Sequence, residues 1–164
     1  MQVHIDADAC PVWRLAVDIC RQKQVAATLY CDTAHQLHSS WAQVLTAERG
    51  ADAVDFLLVG KMRPGDVVVT QDYGLAAMVL GGGGLVLDQN GRRFTGQNID
   101  GLLQGRHLGR VARRHGKYPK GQKKRTAQQD RAFADAFCQL LDEQLAAAGE
   151  DQSGYMRGSG RAHL

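Results

Sequence analysis

The sequence lacks the features that place a chain in a membrane or outside the cell. No run approaches the ~18 apolar residues that a membrane span needs. The N-terminus shows neither the charged nor the apolar region of a signal peptide. The four cysteines include no CxxC spacing, so we expect reduced thiols rather than disulfides, and no zinc site. A cytoplasmic protein is the expectation that follows.

Carboxylates are also missing from residues 101–129, which hold nine Lys and Arg side chains and no Asp or Glu. Residues 1–100 carry eight basic and eleven acidic side chains, and residues 130–164 carry three basic and six acidic ones. An acidic body joined to one basic segment favours a phosphate-rich partner such as nucleic acid. The alternative is a basic helix that is simply solvated.

The remaining pattern predicts an α/β domain. With 164 residues and 44% hydrophobic content, the chain can bury a substantial core. Strands are predicted at 2–6, 27–31, 43–47, 66–70 and 85–88, and helices begin near Pro11 and span 51–62 and 73–80. Because strands alternate with helices and the best strands are uninterrupted apolar runs, we predict a central, mainly parallel sheet in a three-layer architecture.

The C-terminal third is predicted to be mainly helical. A basic helix covers 97–115 and is followed by a loop rich in Gly, Pro and Lys up to residue 126. Thr126 and Gln129 have the spacing of a capping box. They precede a final helix at 127–148, whose apolar face is Phe133, Phe137, Leu140, Leu141 and Leu145. We predict one domain over residues 1–148 and a disordered tail over 149–164.

Several aspartates follow the predicted strands directly. Asp6 and Asp8 come at the end of the first strand, Asp72 comes two residues after strand 66–70, and Asp88 ends strand 85–88. In an open parallel sheet ligands bind beyond the carboxyl ends of the strands, so these acids are expected on one edge. If the first strand continues, Asp6 and Asp8 point to the same side. Asp55 would join them from its helix.

Such a group of carboxylates resists ionising together unless a cation neutralises it. An all-oxygen site suits Mg²⁺ or Mn²⁺. Each acid also has a purely structural interpretation, because Asp8 and Asp72 can cap helices and Asp88 can stabilise a turn.

Several motifs resemble one bacterial family, the YaiI/YqxD family. They are "DADACP" (6–11), "CDTAH" (31–35), "GADAVDF" (50–56), "GDVVVTQDYGLAAM" (65–78), "NGRRFTGQNID" (90–100) and "KGQKKRT" (120–126). That family is grouped with the PIN-like nuclease fold, in which a strand-one aspartate, a helical acid and a T-x-D-x-x-L aspartate bind metal and cleave phosphodiester bonds. The resemblance implies these roles for Asp6 (or Asp8), Asp55 and Asp72.

Together these observations predict a nuclease that uses Mg²⁺ or Mn²⁺ and acts on RNA or DNA, with RNA favoured. Its catalytic and metal-binding residues would be Asp6, Asp8, Asp55 and Asp72. The expected substrate-binding residues are Thr70, Arg106, Arg110, Arg113, Arg114, Lys120, Lys123, Lys124 and Arg125. The open alternative is a non-catalytic nucleic-acid-binding module with a residual acidic metal site.

Two further enzyme classes fit the sequence less well. A phosphatase of the haloacid-dehalogenase type also starts with DxD, but its lysine should follow Thr70, and residues 71–116 contain no lysine. Cys10 at a helix start could be an activated thiol, but no resolving cysteine lies near it in the sequence.

Overall fold

The computed structural model describes residues 1–8, 10–33, 36–48, 50, 52–114 and 123–158, apart from the side chains of 109–114 and 151–158. Its strands are β1 (Val3–Asp6), β2 (Ala27–Asp32), β3 (Gln43–Ala47), β4 (Val67–Val69), β5 (Leu85–Leu87) and β6 (Arg93–Phe94). Its helices are α1 (Trp13–Gln22), α2 (Ala53–Lys61), α3 (Tyr73–Gly81), α4 (Ile99–Arg114) and α5 (Ala127–Gly158). Within the described ranges, no helix is both long and apolar enough to cross a membrane.

The six strands form one sheet in the order β3-β2-β1-β4-β5-β6. The first five run parallel, and β6 pairs antiparallel with β5. The chain leaves β1 towards β2 and β3, then returns to place β4 on the other side of β1. The strand order therefore reverses between β1 and β4, which is where parallel sheets form their ligand crevice.

Helices cover both faces of the sheet. Val3 and Ile5 of β1 pack in one core with the buried side chains of α1 and α5, such as Ile19 and Phe137. Alternate strand residues, such as Val68, pack in a second core with α2, α3 and α4. The predicted three-layer α/β architecture is confirmed, and it is consistent with a PIN-like fold. Burial on both faces explains why the strand sequences are continuously apolar.

A buried polar network joins β1, β2 and the residue before β4. His4 lies 3.0 Å from Asp66 through Nε2 and 2.7 Å from the Tyr30 hydroxyl through Nδ1. Asp66 also accepts hydrogen bonds from the backbone N–H groups of Gln2 and Arg63. Burial alone would raise the pKa of Asp66, but these hydrogen bonds hold it below its ordinary value. The network reinforces the alignment of the two central strands, and no pattern in the sequence indicates it.

The final helix is longer than the sequence predicts. α5 continues to Gly158, whereas the predicted helix stops at residue 148 and a disordered tail begins at 149. The three alanines before Gly149 are strong helix formers, and each glycine inside a helix lowers its stability by only about 1 kcal/mol. Leu145 is 42% exposed, so it does not belong to the buried face as predicted, whereas Phe133 does.

The strand β6 is absent from the prediction. It contains two residues and forms the antiparallel edge of the sheet. Two residues are too few to give a hydrophobic period. Of the predicted basic helix and loop, residues 115–122 lie outside the described part of the chain.

Candidate functional site at the ends of β1 and β4

Asp6 and Thr70 meet because their strands are neighbours in register. Ile5 of β1 pairs with Val69 of β4, so the next residue on each strand lies at the same edge of the sheet. The Thr70 hydroxyl donates a hydrogen bond of 2.8 Å to Oδ2 of Asp6. Both side chains are buried, with exposed fractions of 7% for Asp6 and 0% for Thr70.

Asp72 joins this pair through the same hydroxyl. Its backbone N–H donates to Oγ1 of Thr70 at 3.0 Å. Its own Oδ1 accepts hydrogen bonds from the N–H groups of Gly74 (2.7 Å) and Leu75 (3.1 Å). Asp72 is therefore the N-cap of α3. The capping interpretation is correct, and it holds one carboxylate oxygen at a fixed place beside Asp6.

Asp55 of α2 and Arg106 of α4 complete the surroundings of an acidic cluster, which we define as Asp6, Asp55 and Asp72. The pKa of Asp55 is raised to about 6. Burial is the largest cause, and the negative charges of Asp72, Asp6 and Asp52 add to it, while Arg106 opposes the shift. Arg106 places Nη1 3.4 Å from Oδ1 of Asp72. Charged side chains from β1, α2, the start of α3 and α4 thus act on one another at this edge.

Asp6 shows the same crowding. Burial raises its pKa above the ordinary value, and the negative charges of Asp8 and Asp72 raise it further. The hydrogen bond from Thr70 works in the opposite direction because it favours the ionised form. Among the described residues, no group of three or more His, Cys, Asp or Glu side chains is already gathered closely enough to hold a metal ion.

Asp8 does not continue the first strand, so the prediction that it points to the same side as Asp6 is wrong. β1 ends at Asp6, and the Asp8 carboxylate accepts hydrogen bonds of 3.0 and 3.2 Å from the backbone N–H of Asp32. Asp8 is not the cap of α1 either, because that position is Val12. It instead ties the segment after β1 to the end of β2. Its charge still reaches Asp6.

Asp88 has the structural role that the sequence allowed. Its Oδ1 accepts hydrogen bonds from the backbone N–H groups of Asn90 and Arg92, so it closes the turn between β5 and β6. Cys10 is buried, and burial raises its pKa to about 11. Cys10 is therefore a protonated thiol at neutral pH, which disfavours the thiol mechanism.

Apart from Arg125, the predicted basic residues fall into three groups. Arg106 lies beside Asp72 and is 40% exposed. Lys123 and Lys124 are exposed. The side chains of Arg110, Arg113 and Arg114, and all of Lys120, lie outside the described part of the chain.

Arg125 differs from the exposed contact that the sequence predicted. Its guanidinium donates to Asp130 at the start of α5, to Oδ1 of Asn90 and to the backbone carbonyl of Gln89. It therefore joins α5 to the turn after β5. A sequence shows that an arginine lies in a basic run, but it does not show which carbonyls the fold brings to it.

Removing the Thr70 hydroxyl tests the geometry of the cluster. Thr70→Val keeps the shape but leaves Oδ2 of Asp6 and the Asp72 N–H without this partner in a buried place. We expect the free energy of unfolding to fall by about 1–3 kcal/mol. Thr70→Ser retains the hydroxyl and is the matched control. Urea denaturation at pH 7 measures both variants, and a valine variant as stable as the serine variant would contradict the bridge.

Comparison with known proteins identifies the family of this chain. A UPF0178 protein of Exiguobacterium sibiricum is 52% identical over 143 residues, which cover 87% of this chain and 98% of that protein. A UPF0178 protein of Clostridium acetobutylicum is 43% identical over 143 residues, covering 86% and 97%. No solved structure gives a significant match. The family model described as "Uncharacterized BCR, YaiI/YqxD family" matches residues 4–143. This chain therefore belongs to the YaiI/YqxD (UPF0178) family.

Proposed function

We propose that this protein is a nuclease that depends on Mg²⁺ or Mn²⁺ and hydrolyses phosphodiester bonds of nucleic acid, with RNA as the favoured substrate. The observation that supports the proposal most is the acidic cluster at the reversal point of the strand order. Three carboxylates from β1, α2 and the start of α3 share one electrostatic environment there. Like charges that lie close together repel each other and do not stabilise the fold. A bound cation would offset this repulsion.

The donor set suits a hard divalent cation. Asp6, Asp55 and Asp72 offer only carboxylate oxygens, which Mg²⁺ and Mn²⁺ prefer. In Asp72 the hydrogen bonds described above fall on Oδ1. The residues that would hold the ion are therefore these three, with Asp8 as a charged neighbour. A bound ion of this kind lowers the pKa of water and neutralises charge on phosphate oxygens.

The chain's own side chains would position the substrate. Thr70 keeps Asp6 and Asp72 at fixed places, so that neither must reorganise when a phosphate arrives. Arg106 faces the cluster from α4 and is exposed enough to reach a phosphate oxygen. Lys123 and Lys124 extend a positive surface for the polymer backbone. No nucleophilic side chain is required.

Isosteric changes to the acids test the metal and the chemistry together. Asp6→Asn and Asp72→Asn keep the side-chain shape, and Asn is as good a helix cap as Asp. Mn²⁺ at about 100 times its Kd should raise the wild-type melting temperature by roughly 5–10 °C. Both variants should lose that rise. Metal-dependent cleavage of a mixed pool of RNA and DNA should fall by at least about 100-fold.

The control for these variants is Asp135→Asn, which changes an exposed carboxylate on α5. It should behave as wild type in both assays. If wild type responds to no divalent ion, the metal site is wrong. If wild type binds metal and nucleic acid but cleaves no RNA or DNA, the non-catalytic binding module replaces the nuclease.

The basic surface predicts a salt-dependent affinity. In the double variant Lys123→Ala/Lys124→Ala, the slope of log K against log[salt] for single-stranded RNA should flatten by roughly 0.7 for each phosphate that the variant no longer neutralises. Affinity should fall about equally for all sequences. Arg125 is left in place because its contacts stabilise the fold.

The matched control for this pair is Lys61→Ala/Arg63→Ala. Both side chains are exposed, at the C-terminal end of α2 and just after it, on the side of the sheet where β4 begins. We expect this control to keep the wild-type slope in EDTA. Equal slopes for the Lys123/Lys124 variant and wild type would show that these two lysines bind no phosphate.

A further inference from the structure

A cleft of about 730 Å³ opens beside the acidic cluster, on the side of the sheet covered by α1 and α5. Its walls are the start of α1, the turn after β5 and the start of α5. Gln71 also lines it and stands between Thr70 and Asp72 in the chain. Asp8 borders it and acts electrostatically on Asp6. The cleft is thus lined by residues that adjoin the acidic cluster in the chain, and its volume is that of a small-molecule site.

Three kinds of group in the lining suit a nucleotide. Amide side chains come from Gln71, Gln89, Asn90 and Gln129, and positive charge comes from Arg14, Lys123 and Arg125. An aromatic ring comes from Trp13, which also lines the cleft. Amides match the hydrogen-bonding edges of nucleobases, cations match phosphates, and a planar group matches the face of a base.

One atom in this lining needs a partner. Oε1 of Gln89 is buried, and no described residue donates a hydrogen bond to it. The residue itself is firmly placed, because Asp88 closes the turn around it and Arg125 donates to its backbone carbonyl. Folded proteins rarely leave a buried acceptor unpaired. Rotation of the side-chain amide would turn this oxygen into the cleft that Gln89 lines, where an N–H group of a nucleobase would satisfy it.

Trp13 and Arg14 form a stacking surface in the wall of the cleft. The guanidinium carbon of Arg14 lies 4.4 Å from the centroid of the Trp13 ring, in a cation–π pair. Guanidinium planes and indole rings are the groups on which unpaired bases stack. A base in a duplex has both faces covered by its neighbours, so only a base that has left the stack can occupy such a surface.

We propose that this cleft binds one unpaired nucleobase of a single-stranded nucleic acid and sets the neighbouring phosphodiester at the acidic cluster. The inference rests on the proposed function and narrows its substrate to single strands. Gln89 accepts a hydrogen bond from the base, the Arg14–Trp13 pair stacks on it, and Lys123 meets its phosphate. The positively charged surface provides affinity for phosphates of any sequence, and the cleft makes tight binding depend on an unpaired base.

Binding of mononucleotides in EDTA tests the cleft without any cleavage. The probes are AMP, CMP, GMP and UMP, with ribose 5-phosphate as the comparator that lacks a base. By NMR titration, wild type should bind at least one mononucleotide about fivefold or more tightly than ribose 5-phosphate. Gln89→Leu should weaken that mononucleotide about fivefold and leave ribose 5-phosphate unchanged.

The melting temperature separates a binding role of Gln89 from a structural one. Replacing an unpaired buried acceptor by an apolar side chain should leave the melting temperature unchanged or raise it. Gln22→Leu, at an exposed position on α1, is the matched control and should bind as wild type. Arg14→Ala, also at an exposed position, should weaken the same mononucleotide.

Two results would overturn the inference. One is equal affinity of wild type for ribose 5-phosphate and for all four mononucleotides. The other is unchanged mononucleotide affinity in both Gln89→Leu and Arg14→Ala. Either result leaves the nuclease proposal intact if the Asp6 and Asp72 variants still lose cleavage, so the two failures are distinguishable.

Discussion

The parallel pairing of β1 with β4 is the constraint on which the rest of the site depends. Because Val3, His4 and Ile5 pair with Val67, Val68 and Val69, the two strands end side by side. Both strands end at the same edge of the sheet. Asp6 is the last residue of β1, and Thr70 is the first residue after β4. The hydroxyl of Thr70 then donates a hydrogen bond to Asp6, which fixes the two side chains relative to each other. A shift of register by one residue would point either side chain to the other face.

This arrangement concentrates negative charge that the fold only partly compensates. Thr70 and the N-terminus of α3 stabilise Asp6 and Asp72 through hydrogen bonds. Arg106 supplies one positive charge near Asp72, but it is 40% exposed, and exposed ion pairs contribute little stability. The remaining repulsion contributes to the raised pKa values of Asp6 and Asp55. A divalent cation would offset the repulsion that these groups leave uncompensated. The acidic cluster therefore supports the proposed metal-dependent chemistry.

The sequence was sufficient for features that repeat along the chain. Continuous apolar runs identified the buried strands, and the position of Asp6 and Asp72 after two of them placed both acids at one edge. Asp55 could be placed only by its position on a predicted helix and by the resemblance to a family motif, because one acid on a helix has no periodic signal. The structure brings it near Asp72, as its raised pKa indicates.

What the sequence could not provide was the direction of side chains in irregular segments. The end of β1 at Asp6 turns Asp8 towards the backbone of Asp32 instead of towards Asp6. Arg125 was grouped with its charged neighbours because composition has no information about the carbonyl of Gln89. Gln89 itself was missed for the same reason. A neutral amide after a strand has significance only when its surroundings leave an oxygen unpaired.

The central claim is that the edge formed by β1 and β4 holds a divalent metal. Crystals of the wild-type protein grown with Mn²⁺, with diffraction measured at the manganese absorption edge, test it most directly. The account predicts an anomalous peak bounded by the carboxylates of Asp6, Asp55 and Asp72, and its loss in Asp6→Asn. Ordered carboxylates with no peak at millimolar Mn²⁺, or a peak only elsewhere on the molecule, would contradict it.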